Sequence, residues 1–137
     1  MTGLDPEELE QALVDLSEAN AATFAAANPD VAGVLYQSFA GLATPNGIEN
    51  PNAAAACGTV IDADSLRPLL LFPAVVVANG TERLPNDGVV GVESAKHTGF
   101  QGCIPADHLD EAGTPGIQDP TLDIPAFYKS IVTKLVP

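Results

Sequence analysis

Basic side chains are scarce in this chain. Five Lys and Arg stand against eighteen Asp and Glu, for a formal net charge of −13. A surface this acidic repels nucleic acid and anionic lipid headgroups, so no nucleic-acid partner is expected. It favours solubility and divalent cations. It is common both to secreted proteins and to proteins of salty environments, and charge does not separate the two. No apolar run approaches the ~20 residues a bilayer-spanning helix needs. The longest, Leu69–Ala78, is interrupted by Pro73 and suits a buried core element better than a membrane span. Cysteine is limited to Cys57 and Cys103, outside any Cys-x-x-Cys or Cys/His zinc spacing. A structural zinc site is thereby disfavoured. One disulfide and two buried thiols both remain open, and a disulfide would imply an oxidising compartment. The start, MTGLDPEELEQALVDL, has neither a basic nor an apolar leader region, so the chain is expected to carry no secretion signal of its own.

What is present is a 137-residue chain with 46 % hydrophobic residues, enough to bury one core. A first helix is expected after Asp5, which can accept hydrogen bonds from free helix N–H groups, with Pro6 at the first helical position. Leu9, Leu13, Leu16 and Phe24 form one stripe at helical spacing. The helix should end near Asn28-Pro29, because a residue before proline avoids helical angles. Ala32 to Gly41 predicts a strand, buried on both faces. Residues 42–58 hold two prolines, three asparagines and two glycines, a loop composition. Residues 65–78 fit helix or strand. Val89–Val92 is expected to start a short extended piece. A closing helix is expected from about Asp123, with Phe127, Ile131, Val132 and Leu135 on its apolar face. No repeat or low-complexity tail is visible. So few strands suggest the end of an α/β domain rather than a whole one.

Only two histidines occur, and one lies in Asp107-His108-Leu109-Asp110, 21 residues after Asp87. A histidine acting as general base needs its far ring nitrogen held by a carboxylate. Asn86-Asp87-Gly88 is a tight-turn sequence that would place the Asp87 carboxylate at a strand end. In a Ser-acid-His triad of the α/β-hydrolase order, acid then histidine are the last two members along the chain, as here. Taken without context, Asp87 is better explained as a turn residue capping its own loop, and the plain alternative for His108 is a solvated loop histidine. His97, in Ser94-Ala95-Lys96-His97, lacks any nucleophile spacing and is taken as structural.

The segments NDGVVGVESAKH (86–97) and DHLDE (107–111) resemble the C-terminal part of bacterial secreted triacylglycerol lipases of the α/β-hydrolase superfamily. FAAANPDVAGVLYQSFAG (24–41) resembles that family's helix leading into a strand, and YKSIVTKL (128–135) its closing helix. The resemblance implies the C-terminal part of an α/β-hydrolase fold, with few strands and flanking helices, and residues 1–137 as a single partial domain, incomplete as a lone chain. It implies Asp87 as triad acid, His108 as triad base and Asp110 as a calcium ligand, with Asp62 or Asp64 as the second carboxylate on a structural Ca2+. An ester or lipid substrate and a secreted location are further expectations. Three departures stand out. There is no Gly-x-Ser-x-Gly, and none of Ser17, Ser38, Ser65, Ser94 and Ser130 sits on such an elbow. The nucleophile would then lie elsewhere, in upstream residues or a partner chain. Glu93 and Ser94 stand where family members carry a cysteine after the triad acid, so Cys57 is set against the upstream family cysteine, with Cys103 its candidate partner. The insertion-like TPGIQDPTLD after His108 puts the remaining calcium ligands in doubt. The competing reading is a non-catalytic acidic module, derived from the same fold, that binds calcium or a partner chain. Such a module needs no paired Asp87 and His108.

Overall fold

The computed structural model describes residues 5–15, 17–59, 61–113 and 122–135. The chain divides into two compact units, Met1–Leu35 and Tyr36–Pro137.

The first unit contains two helices where the sequence suggested one: α1 (Pro6–Asp15) and α2 (Glu18–Ala27). Asp5 starts α1 as expected, its Oδ1 accepting from Glu7 N at 3.0 Å. The interruption has a local cause. The Ser17 side chain accepts from Asn20 N and caps a fresh helix, while Asn20 Nδ2 donates to Val14 O at 2.8 Å. Serine hydroxyls compete in this way with the helical ladder. The end of α2 falls where Asn28-Pro29 placed it, and the Asn28 N–H donates to Phe24 O. Phe24 is exposed, so it does not extend a buried stripe. Leu16 and the side chains of Leu9 and Leu13 lie outside the described residues.

The second unit is mixed helix and strand. The strand foreseen over 32–41 is confined to β1 (Ser38–Gly41). Gly33 turns the chain at φ +86°, and Val34 and Leu35 stay exposed. The stretch 42–58 is not all loop. It holds β2 (Ala43–Thr44) and α3 (Ala53–Cys57), the run of four alanines overriding the flanking turn residues. Beyond it lie β3 (Asp64–Ser65), α4 (Leu71–Val77), α5 (Val92–Ala95), β4 (Phe100–Ile104), α6 (His108–Glu111) and α7 (Ile124–Leu135). The pairing is parallel in both ladders. β1 runs beside β4, with Ala40 opposite Cys103 and Gly41 opposite Ile104, and β2 runs beside β3. Leu42, fully buried, joins the ladders: its N–H donates to Ile104 O and its carbonyl accepts from Asp64 N.

Two small apolar clusters result. Ala40, Leu42, Ala53, Cys57 and Val92 form one, with Ile61 and Phe100 against it. Ala43, Leu66, Leu70 and Ala74 form the other, with Leu109 packed on it. Cys57 and Cys103 are bonded, with Cα atoms 5.3 Å apart, which closes the question the spacing left open.

The ambiguous 65–78 segment is chiefly helical, and the expectation that Leu69–Ala78 is a core element needs correction. Only Leu70 and Ala74, one turn apart, are buried; Leu69, Phe72, Val75 and Val76 are exposed. A single helix presents one stripe to a small core, and so apolar a run leaves its other faces in water. No extended piece begins at Val89 either, because Val89 N and Val90 N donate to the Asp87 side chain. Helix α7 forms where expected. Phe127 and Ile131 are half-buried, Val132 and Leu135 exposed, so the foreseen face is covered only in part. Among the described residues no helix is long and apolar enough to cross a membrane.

Candidate functional site

Asn86, Asp87 and Gly88 make a turn out of side-chain hydrogen bonds. Asn86 Oδ1 accepts from Gly88 N at 2.9 Å, and Asp87 Oδ1 accepts from Val89 N at 2.8 Å and Val90 N at 2.6 Å. These bonds outbid a strand over 89–92, because short polar side chains satisfy the backbone locally. Gly88 has φ +104°, and a Cβ there would meet Leu66 and Leu70, so the turn rests directly on the second apolar cluster. Ala43 N donates to Asn86 O, tying the turn to β2.

The second arm leaves β4 at Ile104. Asp107 is fully buried and caps α6, its Oδ1 accepting from Leu109 N and Asp110 N at 3.0 Å each. His108 is the first residue of α6. Its N–H donates to Asp87 O at 2.9 Å, and its Nδ1 lies 2.8 Å from Asp87 Oδ2. The two arms are thus joined through both backbone and side chains. The Asp87 side chain is 3 % exposed and the His108 ring 42 %. That contrast decides what the pair can do. The carboxylate, with one oxygen on the turn and the other on the ring, is sequestered, whereas the imidazole remains reachable. Among the described residues Asp87 is the sole hydrogen-bond partner of the His108 ring. The pair sits just past the C-terminal ends of parallel β1 and β4, the end at which parallel α/β sheets hold their ligands.

A third carboxyl, Glu111, was not foreseen. It lies one turn after His108 on α6, and its ligand atoms come within 4.8 Å of those of Asp87 and His108. The signal available in the sequence was the i, i+3 spacing on a short helix. Gly41 makes room for it: a Cβ at that position would strike Glu111 Oε1 and lie 2.8 Å from both Ala106 O and Asp87 Cβ. Burial pushes the Glu111 carboxyl up to about 7; the Asp87 charge adds to the shift, His108 opposes it and Asp107 adds again. The folded value exceeds the unfolded one, so the native state keeps a proton that the unfolded chain has lost. Stability from this group is full below about pH 4.5 and drains away as pH rises to about 7. Glu111→Gln should therefore unfold at the same temperature as the parent near pH 4. It should gain a growing advantage through that window and hold it above pH 7. Thermal unfolding followed across pH measures this, and a constant difference at every pH would refute it.

Asp110 is buried beside Asp107, and Asp64 joins them, with carboxylate oxygens of all three within 4.8 Å of one another. Asp62 is exposed on the segment before β3 and is not part of this group. Of the two alternatives foreseen, Asp64 is the one the fold carries to Asp110. The cluster also holds a residue that sequence reasoning missed. Arg67 Nη1 donates to Asp107 Oδ1 at 2.5 Å and Asp110 Oδ2 at 2.6 Å, and Nη2 donates to Asp110 Oδ1 at 2.6 Å. Burial pulls the Arg67 pKa down, but the bonds to Asp110 and Asp107 and their charges outweigh it and raise it. The available signal was a lone arginine inside the apolar stretch 65–78 of so acidic a chain. Of the insertion-like segment after His108, residues 114–121 lie outside the described residues.

His97 has a structural place. Its ring meets Tyr36 edge-on at 5.9 Å and its backbone exchanges hydrogen bonds with the Ser38 hydroxyl. No protein-family model, curated protein or solved structure matches the chain.

Proposed function

We propose that Asp87 and His108 are the acid and base of a serine-type carboxylic ester hydrolase, and that this chain supplies the C-terminal part of an α/β-hydrolase fold. The observation that carries this reading is the 2.8 Å contact between His108 Nδ1 and a carboxylate that is itself buried, behind a ring that is not. A buried Asp87 fixes the tautomer with the proton on Nδ1 and stabilises the imidazolium as it forms. Nε2 is then the basic nitrogen. It takes the proton from an attacking hydroxyl and returns it to the departing alkoxide, so the ring ends the cycle as it began. The nucleophile and the N–H groups that stabilise the oxyanion come, in this reading, from polypeptide beyond these 137 residues. The Cys57–Cys103 bond supports an oxidising compartment and hence export. Lipid and other carboxylic esters are the substrate class.

Serine-directed phosphonate labelling tests this. The chain alone should label at none of its five serines. A polypeptide extended to include the residues encoded upstream should label at a Gly-x-Ser-x-Gly serine, and His108→Ala should abolish that labelling. Specific labelling of the 137-residue chain would show that the nucleophile is not elsewhere. Labelling that survives His108→Ala would remove the base.

A second reading, a non-catalytic module completed by a partner chain, draws on the exposed apolar side chains of Leu69, Phe72, Val75 and Val76. Exposed patches of this kind mark protein contacts. It gives no reason for the pairing of Asp87 with His108, which is why the hydrolase is preferred.

A further inference from the structure

We propose that Arg67 is the resident cation of the Asp107–Asp110 pair, a positioning residue that fixes the turn carrying His108 in the way a bound calcium ion otherwise would. The inference stands on the geometry of this cluster and does not require that the protein hydrolyse esters.

All four oxygens of the pair have an N–H donor. Asp107 Oδ1 takes Arg67 Nη1 and two backbone N–H groups of α6, and Asp107 Oδ2 takes the Arg67 backbone N–H at 3.3 Å. Asp110 is held bidentately, one oxygen on each terminal nitrogen of the guanidinium. This is the planar fork that arginine offers and lysine does not. The side chains of Asp107 and Asp110 are 0 % and 1 % exposed, and that of Arg67 is 20 %. Buried carboxylates require a compensating charge, and Arg67 supplies one positive charge shared between the two.

A calcium ion fits this donor set poorly. It needs about six to eight oxygens, and here two of the three carboxylates, Asp107 and Asp110, already accept from a cation. An ion entering among Asp64, Asp107 and Asp110 would lie beside the guanidinium and be repelled by it. Arg67 also reaches the His108 ring by a short path, an ion pair to Asp107 and then one peptide bond. Its partner Asp107 caps α6, His108 opens α6, and Leu109 seats α6 on the apolar cluster of Leu66 and Leu70. Two features of Arg67 therefore act together: the backbone N–H anchors Asp107 from the end of β3, and the fork spans Asp107 and Asp110. Fixing both ends of α6 leaves the imidazole only rotation about its own bonds, which Asp87 then stops.

The test uses the intact chain, stripped of metal with a chelator, and calcium chloride as the probe. The unfolding midpoint of the parent should be the same in chelator and in millimolar calcium, with no binding heat. Arg67→Ala should unfold at a lower temperature and bind calcium at least about tenfold more tightly than the parent, raising its midpoint by mass action. The far-downfield proton resonance of a histidine Nδ1–H on a carboxylate should be present in the parent and broadened or lost in Arg67→Ala. Arg67→Lys keeps the charge without the fork and should fall between the two, which covers the case in which the alanine variant does not fold. Calcium stabilisation of the parent would overturn the proposal. So would a folded Arg67→Ala or Arg67→Lys that leaves that resonance and the midpoint unchanged.

Discussion

Asp107→Ala is expected to cost about 3 kcal/mol of unfolding free energy, measured by urea denaturation. The size follows from what one carboxylate does at once. It is the N-cap of α6, and removing a cap costs about 1 kcal/mol. It also accepts from the side chain and the backbone of Arg67. Breaking a buried ion pair costs about 3–5 kcal/mol when a charge is stranded. Arg67 keeps Asp110 as a partner and is partly exposed, so the lower end applies. Asp107→Asn separates the contributions. Asparagine caps a helix about as well as aspartate but carries no charge. It should recover roughly the cap's 1 kcal/mol and no more. If the asparagine variant matches the parent, the charge of Asp107 contributes nothing and Arg67 is not its counter-ion in any energetic sense.

The double variant Cys57→Ala/Cys103→Ala is expected to lose about 4 kcal/mol, because opening a loop of this length returns chain entropy to the unfolded state. The bond spans 46 residues. Those residues include β3, α4 and the Asp87 turn, so the enclosed loop carries one arm of the site. Cys103 stands in β4, five residues before His108, so the bond also anchors the other arm. Cys57 is buried in the first apolar cluster, and the alanines there leave little other bulk to hold α3. Unfolding of the parent with and without reductant should show the same loss. A difference under about 1 kcal/mol would mean that the unfolded chain is already compact around these cysteines.

The elements legible in the sequence are those made by neighbours in the chain. Asp5-Pro6 starts α1 and Asn28-Pro29 closes α2 because a cap and a proline act within one turn. The closing helix was visible from its spacing. The pairing of Asp87 with His108 was an expectation of the resemblance to lipase C-terminal segments more than of residue types and their order, and the fold brings the two within 2.8 Å. Side-chain hydrogen bonds also override spacing at short range: Ser17 splits a helix, and Asp87 curls 89–90 away from a strand.

What needed the tertiary structure was every partner distant in sequence. β4 forms only beside β1, since a five-residue strand with a central glycine has weak propensity of its own. The exposure of α4 could not be read from its composition, because burial depends on how much core is present to receive a face. Arg67 was an unremarked charge in an apolar run. Only the fold, which brings the segment after β3 to the start of α6, turned it into the counter-ion of carboxylates 40 and 43 residues away. Composition and spacing determine which groups a chain owns and how its turns close. Which of those groups lose their water together is settled by packing alone, and in a chain of this charge that loss of water is what makes one arginine necessary.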